Sequence, residues 1–124
     1  MEQEKFSLRK RIQSFEYAFS GLRLIFRTDH NIWLHFIATV VVIALALILK
    51  VSLVEAAFLA IAVGMVWVTE LINTCLEKMM DFISKEKHPD IKFIKDVSAA
   101  AVLVASATAL VIGCIVFIPK FINS

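Results

Sequence analysis

Glycine, proline and cysteine are all scarce in this chain of 124 residues, which holds three, two and two of them. With only Gly21, Gly64 and Gly113, neither a G-x-x-x-x-G-K-[ST] phosphate loop nor a glycine-rich kinase loop can be formed, so any phosphate must be held otherwise. The lack of glycine, proline and any period also excludes a collagenous or repeat architecture. Cys75 and Cys114 both lie in apolar stretches, which argues against a disulfide framework or a thiolate metal site and suggests packing residues. Charge is sparse too: 19% of residues are charged, and a net charge of +2 is too small to point to nucleic acid.

What remains is apolar. Hydrophobic residues make up 60% of the chain, against roughly 45–50% in soluble domains, which excludes disorder and places the chain in a bilayer. A hydrocarbon core ~30 Å thick takes about 20 apolar residues per helical crossing, so this length allows about three crossings and no separate soluble domain. Three runs answer to that. The first, 32–49, is uncharged with its histidine neutral and ends at Lys50. The second, 51–80, is interrupted early by Glu55 and continues beyond its apolar part, past Glu70 and Glu77, into the cytosol. The third, 96–118, opens with the small-residue patch Ser98-Ala-Ala-Ala, which lets another backbone approach, and ends before Pro119. Between the last two, residues 78–96 are largely polar, with Pro89 and a charge cluster marking a loop.

Ahead of these runs, Leu8, Ile12, Phe15, Phe19, Leu22 and Phe26 recur at helical spacing among arginines and lysines. They predict an amphipathic helix over 5–28, lying in the membrane interface or packing on the neighbouring helices. It is not a signal peptide, because the continuous apolar run begins only at Ile32. The expected fold is therefore an all-α membrane protein, a single integral-membrane domain over 1–124 with an N-terminal amphipathic interfacial helix and three transmembrane helices. Basic residues orient it: six Lys or Arg precede the first crossing and five lie in the second connection, against one at Lys50 and one at Lys120. The N-terminus and second loop are expected to be cytoplasmic.

Carboxylates at the end of an apolar run need a partner. At 100° per residue, Glu70, Asn73, Glu77 and Asp81 fall within a stripe of about 80° on one helical face. Adjacent carboxylates repel unless protons or cations sit among them, and a hard divalent ion such as Mg2+, which takes a few carboxylate oxygens together with water and phosphate oxygens, is the natural counter-charge. Asp29 and Asn31 just before the first crossing, and Lys95 and Asp96 just before the third, come to the same cytosolic boundary. A site there would be open to nucleotide from water and to a lipid head group from the side.

The segment Glu70-Leu-Ile-Asn-Thr-Cys-Leu-Glu77 followed by Asp81, then Lys95-Asp96-Val-Ser-Ala-Ala-Ala-Val-Leu, closely resembles the prokaryotic diacylglycerol kinase family, which includes the undecaprenol kinases. Gly21-Leu-Arg23, Asp29-His-Asn31 and His88 support the resemblance, which spans nearly the whole chain. It implies a small homotrimeric kinase of the bacterial inner membrane that uses ATP and Mg2+ to phosphorylate a membrane lipid alcohol. By the same resemblance Glu77 and Asp29 hold the metal with the nucleotide phosphates, Glu70 is the general base, and Asn73, Lys95, Asp96 and His88 contact nucleotide or order the site. Relatives often carry Glu where Asp29 stands, so Glu77 is the firmer ligand. The Asp29-His-Asn31 segment, the His88-Pro89 turn and the Ile118-Pro119-Lys120 ending look more like the undecaprenol kinase branch; diacylglycerol is the alternative substrate.

Plainer roles compete. Asn73 could serve as interhelical glue, Asp81 as a solvated acid, and Asp96 as the cap of the third membrane helix. His35 reads as a neutral imidazole bonded across helices, Trp33 and Trp67 as interfacial anchors, and Glu55 as a solvated boundary acid. A proton-coupled transporter would place its acid near the bilayer midplane, whereas these acids cluster at one boundary; a non-enzymatic bundle is the remaining alternative.

Overall fold

A computed structural model describes residues 7–123. Among them are four helices: α1 (Leu8–Thr28), α2 (Asn31–Ile48), α3 (Leu53–Ile83) and α4 (Pro89–Ile122). Residues 5 and 6, expected to open the first helix, lie outside the described residues. The chain divides into two compact units, Met1–Trp33 and Leu34–Ser124.

In the first unit, the Ser7 side chain caps α1 by accepting the Lys10 N–H at 3.4 Å. Leu8, Ile12, Phe15 and Phe19 all remain exposed on the chain, as suits a face turned to lipid or to another chain, and Ile25 is the buried residue of the helix. Asp29 joins two helices. Its N–H donates to the Ile25 carbonyl at 2.9 Å, closing α1, and its Oδ1 accepts the Asn31 N–H at 3.0 Å, opening α2. Trp33 Nε1 donates to the Phe26 carbonyl at 2.9 Å and the two rings meet edge-on at 5.1 Å. Trp33 thus braces the α1 to α2 corner in addition to any interfacial role.

In the second unit, α2, α3 and α4 are long and apolar enough to cross a membrane. α3 and α4 make the closest pair. Their partners run in opposite senses, from Asp81 with Lys95 and Asn73 with Ser98 to Glu55 with Lys120, so the two helices are antiparallel. α2 runs antiparallel to α3, as Thr39 with Trp67 and His35 with Glu70 require. The apolar core lies at one end, where Leu59, Val116 and Phe117 are buried against Val42, Leu45, Leu49 and Ile112.

Several boundaries differ from expectation. α3 runs on to Ile83 and α4 begins at Pro89, which leaves a connection of only residues 84–88 where a longer loop was expected. Pro89 starts the helix instead of interrupting it, because its fixed φ and missing N–H cost nothing in the first turn, and His88 caps it by accepting the Asp90 N–H on Nδ1 at 3.1 Å. Asp96 is therefore not a cap; it lies inside α4 and pairs with Lys92 one turn back. At the far end α4 passes through Pro119 to Ile122, although the proline has no N–H to give the Ile115 carbonyl, and Lys120 is held there by Glu55 at 3.0 Å. Glu55 is correspondingly more than solvated: with Ser52 it forms a capping box at the start of α3. Cys75 and Cys114 are exposed on the chain and do not pack within it.

A line of polar side chains between the membrane helices

Two turns of α3 carry the buried polar groups. Glu70 is 3% exposed and Asn73 8%, and Ser98 of α4 is buried opposite them. Each has a partner. His35 Nε2 of α2 stands 3.3 Å from Glu70 Oε2. Ser98 Oγ donates to Asn73 Oδ1 at 2.7 Å, and Asn73 Nδ2 donates to Glu77 Oε1 at 3.3 Å. The spacing of three and four residues between Glu70, Asn73 and Glu77 puts them on one face, as read from the sequence, and α4 then supplies the hydroxyl that orients the amide. Among the described residues no buried side-chain nitrogen or oxygen lacks a partner, which is what burial of such groups demands.

One turn beyond Glu77, Lys95 Nζ donates to Asp81 Oδ1 at 2.5 Å, and Lys92 pairs with Asp96. Asp81, read as a solvated acid, is thus the anchor of Lys95. Lys95, Asp96, Asp81 and His88 line a cleft of about 600 Å³ at the end where α3 passes into α4. Lys85 and Lys87 also line it, so the cleft carries four lysines with three acids and is suited to polyphosphate.

Depth separates these groups. Residue 70 lies about 22 Å along α3 from Glu55, and residue 77 about 33 Å, at a rise of ~1.5 Å per residue. With the Glu55–Lys120 pair at one rim of a hydrocarbon layer ~30 Å thick, Glu70 falls inside the opposite rim, Glu77 at it, and Asp81 with Lys95 in water. The line therefore leads from a carboxylate buried between the helices to the lysine-rich cleft where α3 passes into α4.

For a metal ion the donors are few. Among the described residues no three His, Cys, Asp or Glu side chains gather closely enough to hold one. Mg2+ is commonly held by one or two carboxylates, with water and substrate phosphates completing its shell. Glu77, partly exposed and oriented by Asn73, fits that role. Asp29 belongs to the first unit and is engaged there at the start of α2.

Of the residues expected from sequence, Glu70, Asn73 and Glu77 come together in the line, and Lys95, Asp96 and His88 around the cleft. From sequence His35 is expected to bond across helices but Glu70 is not identified as its partner, and Ser98 reads as a small packing residue. A polar side chain inside an apolar run was the available signal in both cases. Trp67, read as an interfacial anchor, donates its Nε1–H to Thr39 Oγ1 at 2.8 Å and ties α2 to α3.

Comparison with known proteins points to one family. Residues 16–117 match the family described as prokaryotic diacylglycerol kinase. A diacylglycerol kinase of Synechocystis sp. is 33% identical over 111 residues, covering 89% of this chain and 63% of that protein's length. The undecaprenol kinase of Bacillus subtilis is 31% identical over 113 residues, covering 91% of this chain and 92% of the relative. A diacylglycerol kinase of Escherichia coli is 27% identical over 110 residues, 89% and 90% of the two chains. A chain of three apolar spanning helices, carrying this line of acids and amides and matched over most of its length, belongs to the prokaryotic diacylglycerol kinase and undecaprenol kinase family of small membrane lipid kinases.

Proposed function

We propose that this protein transfers the γ-phosphate of ATP, with Mg2+, to the hydroxyl of a membrane lipid at the cytoplasmic face, with undecaprenol as the first candidate substrate and diacylglycerol as the alternative. The observation that carries the reading is Glu70: a carboxylate buried among apolar helices long enough to cross a membrane, on the same helical face as Asp81, which lines the lysine-rich cleft.

The roles follow from that order. Glu70 accepts the proton of the lipid hydroxyl. Asn73, held by Ser98, keeps Glu77 turned toward the nucleotide side. Glu77 is the principal metal ligand, and Asp29, which the family resemblance adds, is a second candidate. When bound, Mg2+ neutralises phosphate oxygen charge, the main requirement of phosphoryl transfer. Lys95, positioned by Asp81, meets the phosphates, with Asp96 and His88 at the same cleft. The Asp29-His-Asn31, His88-Pro89 and Ile118-Pro119-Lys120 segments support undecaprenol, while the relatives include kinases named for either lipid. A homotrimer is part of the proposal: large apolar side chains such as Leu103, Val104, Leu110 and Ile115 are exposed along α4, and neighbouring copies would enclose a site built on three thin helices.

The test is a side-by-side assay in detergent micelles, with radiolabelled ATP, magnesium and either undecaprenol or diacylglycerol. Transfer to undecaprenol at the higher kcat/KM is expected, with a fall of about 100-fold or more in Glu77→Ala and Glu70→Gln. No transfer to either lipid, or full activity of Glu77→Ala, overturns the reading.

A further inference from the structure

The candidate base has a partner that the line toward the nucleotide does not use. His35 Nε2 lies 3.3 Å from Glu70 Oε2, with the two side chains 17% and 4% exposed. An ionised carboxylate removed from water is costly unless hydrogen-bonded, and Asn73 turns its own amide toward Glu77 and Ser98. The helix that carries His35 is in turn tied to α3. Thr39 Oγ1 donates to the His35 carbonyl at 2.7 Å and accepts the Trp67 Nε1–H at 2.8 Å, and Trp67 lies one turn before Glu70 on α3. α2 and α3 are thereby pinned in the register that brings imidazole to carboxylate. On its other side His35 borders an apolar cavity of about 440 Å³, lined also by Leu45, Leu110, Cys114 and Phe117. Other ionisable groups nearby are Glu77 on α3, reached through Asn73, and Lys95 on α4, one turn from Ser98 and tied to Asp81.

We propose that His35 is a positioning residue for Glu70: its Nε2–H keeps the buried carboxylate ionised and aimed, so that an acid at lipid depth can serve as a base. The inference rests on the kinase reading of Glu70 and adds the group that makes that role possible. In the step it serves, the lipid hydroxyl oxygen bonds to the γ-phosphorus, the bond from that phosphorus to the β-γ bridging oxygen breaks with its electron pair left on ADP, and the hydroxyl proton passes to Glu70.

Two readouts test it. Dicyclohexylcarbodiimide, which adds to protonated carboxyls in apolar surroundings, is applied to purified protein in micelles and its addition at Glu70 is followed by mass spectrometry. Lipid phosphorylation gives kcat and KM. In His35→Leu, labelling of Glu70 should rise about five-fold and kcat should fall about ten-fold or more, with KM for ATP within about two-fold. His35→Gln, which keeps an N–H donor of similar reach, should recover most of both. If His35→Leu does not survive purification, His35→Asn, polar but too short to reach Oε2, takes its place. Unchanged labelling on loss of the imidazole, or a defect in His35→Gln as deep as in His35→Leu, overturns the proposal. Failure of the wild type to phosphorylate any lipid overturns the kinase reading instead, and the labelling still decides the role of His35.

Discussion

Ser98 is the residue on which the inner half of the site turns. Its hydroxyl is the donor to Asn73 Oδ1, and its removal leaves an amide oxygen buried beside an apolar helix face. Ser98→Ala is expected to cost about 1–2 kcal/mol, read as a lowered midpoint of unfolding in micelles. It should also reduce activity, because an Asn73 free to rotate no longer orients Glu77. The acids and the amide of this stripe were legible in sequence, since a helix places residues three and four apart on one face whatever surrounds it. Ser98 and His35 were not legible as partners. Each is 25 or more residues from the group it meets, and only the packing of one helix on another makes that pair.

At the scale of elements, the sharp reversal after α2 stands out. Lys50 takes a left-handed conformation with φ of 53°, and the Val51 N–H reaches back to the Ala46 carbonyl at 3.1 Å. That is the bonding of a Schellman cap, in a position glycine usually fills. A β-branched side chain fits this region poorly, so Lys50→Val is expected to destabilise by about 1–2 kcal/mol in the same unfolding assay. α3 and α4 are longer than a membrane crossing needs. They have 31 and 34 residues, or about 46 and 51 Å, well beyond a hydrocarbon layer ~30 Å thick. The surplus carries Asp81 and Lys95 past the membrane rim, and the connection between the two helices is correspondingly short. Composition marked residues 78–96 as polar and invited the reading of a loop; polar residues on a helix that has left the membrane look the same in sequence.

For the whole molecule, the charge asymmetry of eleven basic residues against two leads to an expected orientation with the N-terminus and the 84–88 connection in the cytosol. A reporter fused to the C-terminus should be active only outside the cytoplasmic membrane, and a cytosolic C-terminus would contradict both the orientation and the proposed access of ATP. Metal removal should separate chemistry from folding. Since no three ligating side chains converge among the described residues, chelation by EDTA is expected to abolish phosphoryl transfer while leaving the helical circular dichroism and its thermal midpoint unchanged. A metal-dependent fold would show both falling together.

The number of crossings, the candidate Glu70-Asn73-Glu77 face and the resemblance to a lipid kinase family all came from sequence alone, because a bilayer sets helix length and helical geometry sets which residues share a face. Which groups stand across from that face was decided only by tertiary structure. The pairing of His35 with Glu70, of Ser98 with Asn73 and of Lys95 with Asp81 depends on the relative shift of antiparallel helices. Apolar packing tolerates many such shifts, whereas buried polar groups admit the one in which each finds its partner.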